Sequence, residues 1–263
     1  MKPQTILVEK DAGIASLMLN RPQVHNAFNE EVIAELTTAF ISLDADKNIR
    51  AVLLKGAGKS FSAGADLAWM RKMAAATEPE NRADAMRLAE LLKVLDRLQK
   101  PTIAVVQGAA FGGGIGLIAA CDIAIAAESA SFCLSEVKLG LIPAAISPYV
   151  IAAIGERACR RYFLTAERFS STEAHRLGLI HQVVADESLN DAVHAIVAQL
   201  KMGGPQAQSA AKDLIHSVTR RPVDDVLIED TARRIAAQRM SEEGREGVGA
   251  FLAKRKPAWI GDA

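Results

Sequence analysis

The sequence predicts an α/β fold, a right-handed succession of ββα or βαβ units followed by a helical C-terminal region. Three observations carry this. TIAVVQG, starting at Thr102, is a short, wholly apolar strand of the kind buried under helices on both sides of a sheet. Strand and helix patterns alternate between residues 51 and 127, which points to crossover connections. The turns from strand to helix are glycine-rich and fall on one edge of the sheet, where ligands of such folds bind.

The elements follow in order. Thr5 to Glu9 and Ile14 to Leu19 flank the turn-forming Asp11-Ala12-Gly13 and read as a hairpin. Asn29 precedes Glu30 and Glu31 as an N-cap, with Val32, Ile33, Leu36, Phe40 and Leu43 on one helical face. A strand spans about Ala51 to Lys55, and its exit, GAGKSFSAGADL, is a close-packed loop. Residues 82–99 form a helix on Leu88, Leu91, Leu92, Leu95 and Leu98, ended by Pro101. After TIAVVQG come three glycines, a helix over Gly113–Ala120 and the strand DIAIAA. Beyond residue 150 the chain is mostly helical apart from IHQVV, with a helix over Gly155–Leu164 and a short one opened by Ser170-Ser171-Thr172-Glu173 and closed by Gly178. Further segments start after Leu189, Pro205, Pro222 and Ser241. We divide the chain into a core, 1–200, and a helical region, 201–263, suited to oligomer contacts.

At 263 residues and 50% hydrophobic composition the chain can bury a sizeable core. Lys plus Arg and Asp plus Glu both number 31, which argues against a whole-surface affinity for nucleic acid or membrane. An anionic ligand needs a local patch. The three cysteines, Cys121, Cys133 and Cys159, show no CxxC spacing and suit a reducing cytosol, with neither disulfide nor metal role expected. MKPQTILVEKDAG lacks the long apolar run of a signal peptide or anchor. A soluble cytoplasmic protein is expected.

FGGGIGLIAACD, residues 111–122, removes side chains where a strand becomes a helix. Such a turn lets a ligand approach the backbone and offers unpaired N–H groups at the positive end of the helix, an anion or oxyanion site. Tight helix–sheet packing is the plainer explanation. The pattern is neither GxGxxG nor GxxxxGK[ST], so phosphate cradling is weakly supported. SFSAGADL, 60–67, is a second such loop, and donors from two strand ends can grip one developing negative oxygen.

FSAGADL together with QGAAFGGGIGLIAACDIAIAAESASFCLSEVKLGLIP resembles the crotonase, or enoyl-CoA hydratase/isomerase, superfamily, and the likeness runs from LNRPQVHNAF to FLAKRKP. It implies a spiral of ββα turns, a homotrimer or dimer of trimers, and an acyl-CoA thioester substrate with no separate cofactor. By the same resemblance the oxyanion donors are the amides of Ala65 and Gly113, and the proton-transfer group is Glu136, whose apolar neighbours Leu134, Val137 and Leu139 would raise its pKa. Where many hydratases read GGGxE, this chain reads GGGIG, so Gly116 stands in place of a second glutamate. Ala63, Asp66, Leu67, His25, Ala27 and Gly112 are carried over as ligand-lining positions, and Lys254 as a cation for CoA phosphates. Plainer roles stand beside these: Asp66 bonding its own loop, His25 packing, Lys254 completing a solvated helix end.

Longer strings, FSAGADLAWMRKMA and CLSEVKLGLIPAAISPYVIAAIGERACRRYFLTAERF, are similar to bacterial methylglutaconyl-CoA and isohexenylglutaconyl-CoA hydratases, which implies hydration of a branched or carboxylated enoyl-CoA. Arg71, Lys72 and Lys138 are candidate partners for a second carboxylate. A single-glutamate Δ3,Δ2-enoyl-CoA isomerase and a non-catalytic CoA-binding protein stay open, and decarboxylase relatives are compatible. Ala144-Ala145 offers no dehalogenase nucleophile.

Overall fold

In the computed structural model, residues 4–260 are described. Residues 1–3, which open the stretch read above for a leader, and the last three of the C-terminal region lie outside them.

The hairpin forms as the turn residues require. β1 (Ile6–Asp11) pairs antiparallel with β2 (Ile14–Leu19), and Ala12 and Gly13 turn the chain with positive φ of 44° and 81°. β2 then starts a run of parallel neighbours: β3 (Ala51–Gly56), β4 (Thr102–Val106), β6 (Ile123–Ala127) and β9 (Gln182–Val184) complete the six-stranded order β1-β2-β3-β4-β6-β9. A second, three-stranded sheet of β5 (Ala109–Phe111), β7 (Ser131–Cys133) and β8 (Phe169–Ser170) stands beside it. Strands this short give no pattern to read, and the second sheet is not evident in the sequence.

The wholly apolar central strands are explained by cover on both faces. Val52, Leu54, Ala104, Val106, Ala124 and Ala126 face the main core, shared with α1 (Glu30–Ala45), α3 (Glu78–Arg97), α4 (Gly113–Ala120) and α5 (Ser147–Thr165). The alternate residues Leu53, Ile103, Val105 and Ile125 meet Leu189, Val193 and Val197 of α7 (Leu189–Met202) on the other side. Asn29 caps α1 by accepting from the Val32 amide at 3.0 Å, and the five residues placed on its inner face are the buried ones. α3 starts four residues earlier than the apolar stripe suggests, because Thr77 and Glu80 form a capping box. The loop read over 56–67 is found over 57–66, and α2 (Leu67–Ala74), in a stretch to which the sequence reading assigned no element, follows it. No residue of α2 is fully buried, although Trp69, Met70 and Met73 are half-buried on one face, and the Asp66 cap sets its start. Gly155, with φ 77°, kinks α5 where a helix was read to begin.

After α6 (Ser171–Leu177), capped by Ser170 and closed by Gly178, and α7, the chain continues as α8 (Pro205–Val218), α9 (Asp225–Met240) and α10 (Glu242–Leu252). These three pack on one another. Polar ties hold them to the sheet. Lys212 donates to Asp122 at 2.7 Å and to the Lys100 carbonyl, and the Arg50 guanidinium donates to the Gly203 carbonyl at 2.6 Å and the Trp259 carbonyl at 3.5 Å. Arg50→Ala is expected to cost about 1.5–3 kcal/mol, the scale of hydrogen bonds from a charged donor, read as a lowered urea midpoint with unchanged slope.

Candidate active site

The loops after β3 and β4 leave the same edge of the parallel sheet and pack against each other. The first pairs on both sides. The Phe28 amide donates to Gly64 at 2.7 Å and the Asp66 amide to Phe28 at 2.7 Å, so the amide of Ala65, between them, points the opposite way. On that opposite side Ser62 pairs with Ala110, and a Cβ at Gly64 would lie 3.0 Å from the Phe111 carbonyl oxygen. Ala65 therefore aims its N–H toward the side on which the triple glycine begins. Gly113 is the first residue of α4, whose first amides have no carbonyl behind them. Among the described residues, neither the Ala65 nor the Gly113 amide donates to a protein acceptor. Two free donors from two touching turns make the oxyanion geometry available.

Each glycine of the turn has its own neighbour. A Cβ at Gly112 would stand 3.1 Å from Glu136 Oε1, one at Gly113 2.8 Å from the Phe28 ring, one at Gly114 2.9 Å from the Ser62 carbonyl oxygen, and one at Gly116 2.3 Å from Ile146 Cγ2. Packing thus explains Gly113, Gly114 and Gly116. Gly112 is required twice over, since its φ of 49° with ψ of −118° is also closed to L side chains.

Glu136 opens a single 3-10 turn, Glu136–Leu139, directly after β7. Backbone pairing ties this segment to the glycines: the Gly112 amide donates to the Cys133 carbonyl at 2.9 Å. The carboxyl is buried against the turn, and its Oε2 has no partner. Burial pushes its pKa up, and only its own backbone amide opposes this. A half-desolvated carboxyl with an unclaimed oxygen can take and return a proton. Arg168, which sequence reading missed, stacks its guanidinium 5.1 Å from the centre of the Phe111 ring, and both it and Lys138 lie close enough to Cys133 to act on its thiol.

The other sequence candidates divide. Asp66 is committed to the loop: Oδ1 accepts from the Ala68 and Trp69 amides at 2.8 and 3.2 Å, and Oδ2 from Arg21 at 2.9 Å. Arg21 also donates to the carbonyl of the buried Ala27 at 2.6 Å, which joins the LNRP segment to the first loop. The exposed His25 lies 3.1 Å from Ser60 through Nδ1, and its carbonyl accepts from Ala63. Leu67 is 72% exposed at the mouth of the loop, available to a ligand. Of the three cations named for a second carboxylate, Lys72 is held by Glu30 at 2.5 Å, whereas Arg71 and Lys138 are exposed. Lys254 belongs to the C-terminal region. It follows α10, which packs on α8 and α9, and adopts a left-handed φ of 56°. Phe28 and Ile146 also escaped sequence reading, because nothing local marks a residue that matters by touching a distant glycine.

The chain matches the family model described as enoyl-CoA hydratase/isomerase over residues 9–262. It is 36% identical to the 1,2-epoxyphenylacetyl-CoA isomerase of Escherichia coli, covering 97% of this chain and 98% of that one. It is 31% identical to the crotonyl-CoA hydratase of Syntrophomonas wolfei over 99% of both. Among solved structures, an enoyl-CoA hydratase from Shewanella pealeana superposes with a TM-score of 0.95 at 47% identity, covering 98% of this chain and 97% of that one.

Proposed function

The chain belongs to the enoyl-CoA hydratase/isomerase family, and on that premise we propose that it adds water across the α,β double bond of a branched or carboxylated enoyl-CoA. The observation that carries this is the Glu136 carboxyl beside Gly112, whose Oε2 is buried without a partner. In the reaction, the thioester oxygen accepts hydrogen bonds from the Ala65 and Gly113 amides, and Glu136 takes a proton from water as the water oxygen bonds to the β-carbon. The electron pair of the double bond moves onto the thioester as an enolate, which the two amides stabilise, and Glu136 returns the proton to the α-carbon. One carboxyl thus ends as it began. Losing one such amide typically costs about 2.7–4 kcal/mol of barrier. Lys138, two residues after Glu136, and Arg168 supply cations for a distal carboxylate.

The second reading, a single-glutamate enoyl-CoA isomerase, is favoured by Gly116: among the described residues no second carboxyl faces Glu136 across the turn, and Ile146 fills the space. There Glu136 moves one proton between two carbons of the acyl chain. Crotonyl-CoA, 3-methylglutaconyl-CoA and a 3-enoyl-CoA separate the two when the conjugated thioester's ultraviolet absorbance is followed. Hydration predicts loss of absorbance with the first two. A gain with the third alone makes the protein an isomerase, and binding without turnover of any makes it a CoA-binding protein.

The CoA is part of the substrate and no separate cofactor is proposed. We assign the chain to a homotrimer or dimer of trimers in the cytoplasm. Val226, Ile235, Phe251 and Leu252 of α9 and α10 are at least half exposed, which supports self-association, and no helix among the described residues is long and apolar enough to cross a membrane. Lys254, after α10, would supply a cation for the CoA phosphates.

A further inference from the structure

Two turns supply the free amides of the site, and one residue touches both. Phe28 brackets Ala65 with its backbone, its amide donating to the Gly64 carbonyl and its carbonyl accepting from the Asp66 amide, each at 2.7 Å. Its ring meets the other turn: a Cβ at Gly113 would lie 2.8 Å from Phe28 Cε2 and 3.1 Å from Cδ2, so the ring edge rests on the Gly113 α-carbon. Phe28 is 1% exposed and part of the main core, whereas Ala65 is exposed and Gly113 half-buried. The ring therefore braces the glycine turn from the core while both amide-bearing residues stay accessible. Neighbouring bonds leave Phe28 little freedom. The Ala27 carbonyl accepts from Arg21 at 2.6 Å, the Asn26 side chain donates to the Ala57 and Ser60 carbonyls at 2.9 and 2.8 Å, and Asn29 caps α1.

We propose that Phe28 is a positioning residue for the reaction: its backbone sets the direction of the Ala65 amide and its ring sets the place of the Gly113 amide, so that the two act on one thioester oxygen. This deepens the oxyanion reading above and rests on it. Removing the ring leaves the backbone bracket intact but lets the first coil of α4 settle into the vacated space, which carries the Gly113 amide off its line. A misplacement of about 1 Å is worth roughly 10²-fold in rate.

The test compares the wild type, Phe28→Leu and Phe28→Ala by kcat and KM for crotonyl-CoA and by isotope-edited infrared spectra of bound butyryl-CoA labelled with heavy carbon at its carbonyl. Hydrogen bonds to that oxygen weaken the carbonyl bond and lower its stretching frequency, and the saturated probe reports them without turnover. In Phe28→Ala kcat is expected to fall by roughly 10²-fold with KM little changed, and the stretch to rise. Phe28→Leu, which keeps carbon at the δ positions but not at Cε2, should move both in the same direction and less far. Phe40→Leu, an equally buried ring of the same core on α1, reports ordinary core loss: its melting temperature falls and its stretch stays at the wild-type value. Should Phe28→Ala not fold, the Leu variant carries the comparison. A folded Phe28 variant with the wild-type stretch overturns the proposal whatever its stability, and so does an equal shift in Phe40→Leu. If the wild type leaves crotonyl-CoA unchanged, hydration is removed and the stretch alone decides on Phe28. If butyryl-CoA bound to the wild type shows no frequency below that of the free thioester, the oxyanion reading itself fails before any variant is compared.

Discussion

Glu136→Gln is expected to lose turnover by about 10²–10⁴-fold while acyl-CoA binding changes little. The amide is nearly isosteric, so the turn over Gly112 and the free amides of Ala65 and Gly113 stay in place, and only the proton carrier is removed. Steady-state rates beside competitive binding of a saturated acyl-CoA separate the two effects. The same substitution has a second, opposite consequence. Burial raises the Glu136 pKa above its unfolded value, so over the window between the two the native state holds more protons than the unfolded state, and stability falls as pH rises through it. Above that window the wild type carries the full cost of a buried charge with an unpartnered oxygen. Glu136→Gln should therefore melt above the wild type at about pH 7, and the gap should close on acidification toward about pH 4, where both side chains are neutral. A variant that keeps its turnover would remove Glu136 from the chemistry. One that melts lower at neutral pH would mean that the carboxylate finds stabilising partners on ionisation.

How much of this could be read beforehand depends on the range of the interaction concerned. The hairpin, α1 and α4 were legible because a turn, a cap or a glycine run marks each within a few residues. α2 was not: it has only eight residues, so the face of half-buried Trp69, Met70 and Met73 spans barely two turns, and its start rests on Asp66 accepting two amides. β5, β7 and β8 have three residues or fewer, too short for a period of two to show, although they carry Phe111 and Cys133 into the site. At the site, the glycines announced an unusual turn and family likeness pointed to Glu136. The reasons for the individual glycines were hidden. Phe28, Ser62, Glu136 and Ile146 come from four separate segments and meet the turn only after folding. The missing second carboxyl was visible at Gly116 as an absence; that Ile146 occupies its place was not. Asp66 shows the same limit from the other side, since its two oxygens are spent on α2 and Arg21, a commitment that no spacing reveals.

Gly112→Ala should damage rate and stability together, which distinguishes it from Glu136→Gln. Its backbone, φ 49° and ψ −118°, is closed to L residues, and holding alanine there costs about 1–3 kcal/mol. At roughly 2–4 °C per kcal/mol for a chain of this size, the melting temperature falls by several degrees. The rate suffers for a different reason. The new methyl would stand 3.1 Å from Glu136 Oε1, and the Gly112 carbonyl accepts from the Ile115 and Gly116 amides at 2.9 and 3.3 Å, so relief of strain turns the first coil of α4 and with it the Gly113 amide. Displacing both the proton carrier and one donor should lower kcat/KM by at least the 10²–10³ typical of losing a single oxyanion donor. Gly155→Ala supplies the control: that position has φ 77° and nothing within 4 Å of the added methyl, so it reports backbone cost without crowding. If both variants lose similar stability and only Gly112→Ala loses rate, the glycine at 112 is there to leave room for a carboxyl. If Gly112→Ala melts low yet turns over normally, the 3.1 Å approach has no bearing on the chemistry and its conformation alone explains the residue.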